Sequence, residues 1–139
     1  MVDANLSLVD AFRAYGAKPS SRLKGLSAIA ADGAMVLNCL PLYFGHPAKG
    51  VLRYEDRLGR DSTDAKDIGL LGEHLTLARD GKLPIRMVVK TPPDAGSNRT
   101  GRGFHVRRDL VGTLVKFDGD HFVVDFRRVE VAPTVSRRK

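Results

Sequence analysis

The chain has 139 residues, 42% of them hydrophobic and 28% charged, which allows a packed core and argues against a largely disordered chain. No apolar run reaches the roughly 18 residues needed to span a membrane, and the first residues show no basic segment followed by an apolar stretch, so neither a membrane partner nor a secretory signal is predicted. The single cysteine, Cys39, excludes an intrachain disulfide, and the prediction is a cytoplasmic protein. The formal net charge of +7 favours a polyanionic partner.

The first half of the chain predicts one helix and one hairpin. Residues 6–15 have apolar side chains at helical spacing, and Gly16 supplies a left-handed stop. Two apolar runs, 25–31 and 34–40, flank Asp32 and Gly33, a dipeptide typical of a tight hairpin turn with two positive φ angles. Residues 41–50 contain two prolines and two glycines and are predicted to form a loop, before a short strand over 51–54.

Residues 62–127 are predicted to contain the longer helix and most of the sheet. Residues 62–80 form the main helix, with an apolar stripe at Ile68, Leu71, Leu75 and Ala78. Strands are predicted over 85–90 and 103–106, separated by a loop at 91–103 that is rich in Pro, Gly, Ser and Asn. A second hairpin joins 112–117 to 121–127 through an Asp-Gly-Asp turn.

This order of elements predicts the α+β class. Hairpins require antiparallel pairing, and two helices are too few for a wound parallel sheet, so we expect a curved, mainly antiparallel sheet or a small open barrel with one or two packed helices. Residues 1–133 are predicted to form a single domain and residues 134–139 a flexible basic tail.

All of the net positive charge lies in the second half. Residues 1–80 carry 10 basic and 10 acidic residues, whereas residues 81–139 carry 13 basic and 6 acidic, a difference of +7. Within this half, the loop over 97–103 combines glycines with Arg99 and Arg102, whose forked donors suit phosphate or guanine, and with the polar residue Asn98. The alternative is a solvated loop that only joins two strands.

Two arginine pairs extend the basic region. Arg107 and Arg108 follow one predicted strand, and Arg127 and Arg128 end another, so one member of each pair would share a face if the strands were neighbours. His105 lies between them and the loop, where a protonated imidazole would contact a phosphate. The alternative for both pairs is a solvated surface on which nearby acids form ion pairs with them.

Other candidate sites are less complete. Glu55, Asp56 and Asp61 would be the metal ligands of a small nuclease, but alternating charges of this kind are commonly surface ion pairs. None of the four histidines is spaced for zinc, and Cys39 lies in an apolar run typical of a buried, unreactive thiol. No metal, cofactor or catalytic residue is therefore predicted.

The stretch Ser97-Asn98-Arg99-Thr100-Gly101-Arg102, entering a strand at Gly103, resembles the DNA-reading N-terminal module of McrA-type modification-dependent restriction endonucleases. The order of hairpin, helix, strand and arginine loop is also similar, over residues 24–106. The resemblance implies recognition of methylated cytosine in DNA. This sequence has no Cys-x-x-Cys pair and no Trp, so the implied role is a reader without the nuclease half.

These patterns together predict a non-enzymatic nucleic-acid-binding protein, with DNA favoured over RNA. The predicted contacts are Asn98, Arg99, Arg102, His105, Arg107, Arg108, Arg127 and Arg128. Phe104 or Tyr54 would stack on a base. The alternative function is an accessory or inhibitor protein that binds an acidic protein surface, because a basic face steers association with either partner.

Overall fold

The computed structural model describes residues 3–19, 26–58, 65–90 and 102–129 and shows an open, curved, mainly antiparallel sheet with two helices. Of the side chains in these ranges, those of residues 3–5, 42 and 102 are not described. The helices are α1 (Leu8–Arg13) and α2 (Ala65–Gly81). The strands are β1 (Asp3–Ser7), β2 (Ser27–Ile29), β3 (Met35–Cys39), β4 (Phe44–Ala48), β5 (Val51–Arg57), β6 (Ile85–Lys90), β7 (Arg102–Val106), β8 (Leu110–Phe117) and β9 (His121–Arg128). The predicted α+β class is confirmed.

Strand β6 is the centre of the sheet. One side of it pairs in parallel with β3, from Met35 opposite Ile85 to Cys39 opposite Val89, and β3 continues to β2. The other side pairs with both β7 and β8. Strand β1 lies beyond β7, whereas β9, β5 and β4 follow in that order beyond β8.

Strands β7 and β8 lie end to end along the same edge of β6. Val106 pairs with Val88 and Gly112 pairs with Ile85. Five residues (107–111) lie between Val106 and Gly112, whereas only two (86–87) lie between their partners Val88 and Ile85 on β6. The β7–β8 side therefore contains three extra residues. The excess leaves the ladder as a turn at residues 107–109.

The sheet buries apolar side chains on both faces. On one face, Leu71 and Leu75 of α2 pack with Met87 of β6 and with Phe122 and Phe126 of β9. On the opposite face, a smaller cluster contains Leu8 and Phe12 of α1 with Val36, Val88 and Val106. Alternate residues of β3 and β6 serve the two clusters, which explains why both strands are almost continuously apolar.

The helix ends follow local chemistry. The backbone N–H of Asp10 donates to Ser7 Oγ at the start of α1, over 3.1 Å. Gly16 ends this segment with φ 78°, as predicted. Helix α2 ends one residue later than expected, because Lys82 and not Gly81 takes the left-handed conformation, with φ 53°. The Leu83 N–H then donates to Ala78 O over 3.1 Å, closing the last turn.

Several local predictions were wrong in detail. Residues 41–50 are not a loop, because 41–43 form a 3₁₀ turn and 44–48 form β4, an edge strand. Residues 3–7 form strand β1 and leave a helix of only six residues. The β2–β3 turn has one positive φ, at Gly33, because the loop has three residues (31–33) between Ala30 and Ala34. The predicted start of the main helix (residues 62–64) and the predicted basic tail (residues 134–139) lie outside the described residues.

Neither described helix has the length and apolar character required to cross a membrane.

Candidate nucleic-acid interface

The turn at 107–109 is a short, well-connected excursion between β7 and β8. The Leu110 N–H donates to Arg107 O over 3.1 Å, which closes the turn, and the Val129 N–H donates to Asp109 O over 2.8 Å. The end of β9 is thereby attached to the turn, and Arg128, which pairs with Leu110, lies beside it. Residues that are far apart in sequence therefore meet at this point of the sheet.

Asp109 is the acidic centre of the turn. Nε and Nη2 of Arg107 donate to the two carboxylate oxygens of Asp109, over 3.0 and 2.8 Å, in a forked pair. Arg128 Nη2 lies 3.8 Å from Asp109 Oδ2. The hydrogen bond from Arg107 and the positive charge of Arg107 and Arg128 lower the pKa of Asp109 below its usual value. One carboxylate is thus shared by two guanidinium groups.

Arg86 approaches the same turn from β6. Its Nη2 donates to the backbone carbonyl of Arg108 over 2.9 Å, and its guanidinium carbon lies 5.0 Å from the ring centroid of Tyr15. Tyr15 follows α1, and its hydroxyl donates to Met87 O over 2.9 Å. Burial raises the pKa of Tyr15, and the charge of Arg86 opposes part of that rise. The phenol therefore stays protonated at neutral pH and anchors the ring under the guanidinium.

The turn therefore collects four arginines with one carboxylate. Arg86 comes from β6, Arg107 and Arg108 from the turn itself, and Arg128 from the end of β9. Counting Asp109, the formal charge of this group is 4 − 1 = +3. We call these five residues the arginine turn.

Arg127 lies on a different face of β9 from Arg128, because neighbouring residues of a strand point to opposite sides. Arg127 pairs with Val111 of β8. Because Gly112 pairs with Ile85, the neighbouring residues Val111 and Arg86 lie side by side, and a row of adjacent residues crosses the sheet from Arg86 through Val111 to Arg127. The charge of Arg127 contributes to lowering the pKa of Asp125, after the larger effect of Arg53. It extends the arginine turn on the α1 side of the sheet.

Further along β5 and β9 the basic residues have acidic partners. Arg53 makes a forked pair with Asp125, over 2.7 and 2.9 Å, and Arg57 pairs with Asp120 over 3.1 Å. This pairing lowers the pKa of Asp125. Excess positive charge is therefore concentrated at the arginine turn and is small elsewhere on this part of the sheet.

His105 of β7 lies close to the positive charge of Arg107. The residue is half-buried in β7, and burial, together with the charge of Arg107, lowers the pKa of its imidazole below 6.5. A contact of the protonated ring with a phosphate stays a prediction, and the lowered pKa makes that protonation less favourable in the unbound protein.

The remaining predicted contacts are only partly described. Asn98 and Arg99 lie outside the described residues, and only the backbone of Arg102 is described, in β7. Their place in a binding site stays a prediction. Of the other candidates, Arg107 and Arg128 meet at Asp109, Arg108 lies in the turn between Arg107 and Asp109, and Arg127 lies on the opposite face of β9 from Arg128.

The acidic cluster considered as a metal site is not assembled. Glu55 and Asp56 are neighbours in β5 and point to opposite faces. Asp56 is buried, where it accepts hydrogen bonds from the Tyr54 hydroxyl and the Arg57 N–H, both over 2.7 Å. Asp61 lies outside the described ranges. Among the described residues, no group of three or more His, Cys, Asp or Glu side chains could hold a metal ion.

Tyr54 is unavailable for base stacking. Its ring is fully buried among Tyr43, Phe44 and Phe122, and its hydroxyl accepts the Leu40 N–H over 3.0 Å. Phe104 is half-buried against the α1 cluster. Cys39 is buried as predicted, and burial raises the pKa of its thiol, so the reactive thiolate is disfavoured.

Arg86 was not predicted as a site residue. The available signal was a single charged side chain within the apolar run Ile85–Val89. That signal alone does not distinguish a binding residue from a residue at a sheet surface, because the partners of Arg86 come from α1 and from the turn, 71 and 22 positions away.

Comparison with known proteins gave no relative: no family model, no curated protein and no solved structure matches this chain.

Proposed function

We propose that this protein is a non-enzymatic nucleic-acid-binding domain whose described contact surface is the arginine turn. The observation that carries the proposal is that Arg107 and Arg128 meet at the Asp109 carboxylate, while Arg86 of β6 donates to the Arg108 carbonyl of the same turn. Guanidinium groups bind phosphate through parallel N–H donors, and each neutralised phosphate releases condensed counterions.

The distribution of charge supports this surface over the rest of the domain. Arg53 and Arg57 are each paired with their own carboxylate, whereas Asp109 is shared by Arg107 and Arg128. Arg127 and the strongly exposed Arg128 flank the turn on the two faces of β9. A polyanion at this position gains attraction that the paired surfaces do not offer.

The preference for DNA over RNA depends on the resemblance of residues 97–106 to the McrA-type readers. Arg102, at the start of the strand that leads into the turn, and Arg99 would add to this surface. The double variant Arg99→Ala/Arg102→Ala is expected to leave the fold intact and to lower the salt slope of binding by roughly two.

The experiment is a fluorescence-anisotropy titration of labelled mixed-sequence 20-mers, tested as plain duplex, cytosine-methylated duplex, single-stranded DNA and RNA. The dissociation constant is measured from 25 to 200 mM salt. The variant Arg108→Gln/Arg128→Gln should weaken binding and reduce the log–log salt slope by roughly two.

The matched control is Arg57→Gln/Arg79→Gln, which removes the same charge from exposed arginines that lie outside the arginine turn. It should change binding little. If both double variants weaken binding equally, the interaction depends on net charge and not on the arginine turn. If the wild-type chain binds none of the four probes at 25 mM salt, the proposal is wrong, and an acidic protein surface becomes the partner to test. Equal binding to plain and methylated duplexes would refute only the recognition of methylated cytosine and would leave the proposed nucleic-acid binding intact.

A further inference from the structure

Arg86 is held more firmly than a solvated arginine. Its guanidinium stacks on the ring of Tyr15, with 5.0 Å from the guanidinium carbon to the ring centroid, and Nη2 donates to Arg108 O over 2.9 Å. The Tyr15 ring is fixed in turn by the hydrogen bond from its hydroxyl to Met87 O, over 2.9 Å. The plane of the guanidinium is therefore set by α1, β6 and the turn together.

The charge of Arg86 has no carboxylate partner to neutralise it. Within the described ranges, no Asp or Glu oxygen lies within 4.0 Å of this guanidinium, in contrast to Arg53, Arg57 and Arg107. Its Nε is buried and has no hydrogen-bond acceptor among the described residues. A guanidinium that is held in place and has no carboxylate partner attracts an anion, which would approach from the exposed Nη side because Nε is buried.

We propose that Arg86, oriented by Tyr15 and by the Arg108 carbonyl, is a preorganised donor that binds a backbone phosphate through its Nη groups, and that Tyr15 is a positioning residue of this subsite. The proposal rests on the proposed function and adds to it the residue that makes the directed contact. Arg108 and Arg128 then supply longer-range attraction, while Arg107 is occupied by Asp109.

Preorganisation predicts a difference between arginine and lysine at this position. A lysine keeps the charge but has neither the planar fork nor the stacking surface of a guanidinium. Arg79 of α2 lies outside the arginine turn, so the same exchange there should matter little. The two substitutions leave net charge unchanged and separate directed contact from general electrostatics.

The test measures binding of the full chain to mixed-sequence single-stranded DNA and to oligo(dT), which contains no guanine. Arg86→Lys should weaken binding to both probes by about tenfold with an unchanged salt slope, and Arg79→Lys by less than twofold. Tyr15→Leu should weaken binding by a similar factor without any change in charge. Tyr15→Phe, which keeps the ring, should retain most of the affinity. Urea unfolding midpoints of the four variants show whether each is folded at the assay temperature.

Three results would overturn the inference while wild-type binding persists. Binding by Arg86→Lys equal to wild type would show that charge alone suffices at this position. A loss confined to the guanine-containing probe would reassign Arg86 from a phosphate to a guanine edge. Folded Tyr15→Leu with wild-type affinity would remove the positioning role. Absence of wild-type binding is a separate outcome, which refutes the proposed function itself.

Discussion

Gly112 provides a sharp test of the packing in this fold. It lies at the start of β8, opposite Ile85 of β6 and Phe126 of β9. A Cβ built on its backbone would lie 2.7 Å from Phe126 Cε1 and 2.7 Å from Val124 Cγ1. Carbon atoms pack best at about 3.5–4.0 Å, so each contact would be about 1 Å too short. Neither neighbour has room to move, because both side chains are fully buried.

The expected cost of Gly112→Ala follows from this geometry. Adding a methyl group to a well-packed core costs about 1–3 kcal/mol. Replacing glycine also restricts the unfolded chain, which returns about 0.4–1 kcal/mol. We therefore expect a net loss of about 1–2 kcal/mol in the free energy of unfolding.

The measurement is urea unfolding followed by far-UV circular dichroism, since the chain has no Trp to report by fluorescence. The matched control is Gly69→Ala in α2, where a Cβ meets nothing within 4 Å. That change should raise stability by up to about 1 kcal/mol, because alanine favours a helix over glycine. A Gly112→Ala protein as stable as wild type would refute the close packing of β8 against β9.

Other predictions test the core, one hydrogen bond and the arginine turn. Leu71→Ala and Phe126→Ala should each lower the free energy of unfolding by about 2–5 kcal/mol in the same urea assay, and unchanged midpoints would contradict their burial. His74 Nδ1 lies 2.7 Å from Ser27 Oγ, and burial lowers the pKa of His74 below 6.5. The unfolded state then binds the proton more readily, so the free energy of unfolding is highest above pH 6.5 and falls as the pH drops below it. In the His74→Gln variant, the free energy of unfolding should change less between pH 7.5 and 5. Asp109→Asn should tighten DNA binding several-fold and raise the salt slope, because Arg107 loses a charged partner; weaker binding would show instead that Asp109 is needed to shape the turn.

Local patterns were sufficient for elements whose periodicity is strong. The stripe of α2 is confirmed at Leu71, Leu75 and Ala78, which are buried, whereas Ile68 is only half-buried. The alternation of β9 correctly placed Phe122, Val124 and Phe126 on the core face. The hairpin turns were found at Gly33 and Gly119, both with positive φ, because few residues other than glycine adopt that conformation. Strand β4 was missed because Gly45 and Pro47 are typical of loops, yet an edge strand accepts both.

By itself, the sequence determined the α+β class and the excess of positive charge after residue 80, since composition and short-range periodicity are properties of neighbouring residues. Only the tertiary structure decided which arginines meet. Arg107 and Arg128 share a carboxylate for two reasons. The chain between β7 and β8 has three more residues than the facing part of β6 and forms a turn, and β9 ends beside that turn. The inclusion of Arg86 depends on contacts with Tyr15 and Arg108 made across the sheet. Strand register is set by packing between distant segments, and a shift of one residue moves every side chain to the other face, so no local pattern specifies such a site.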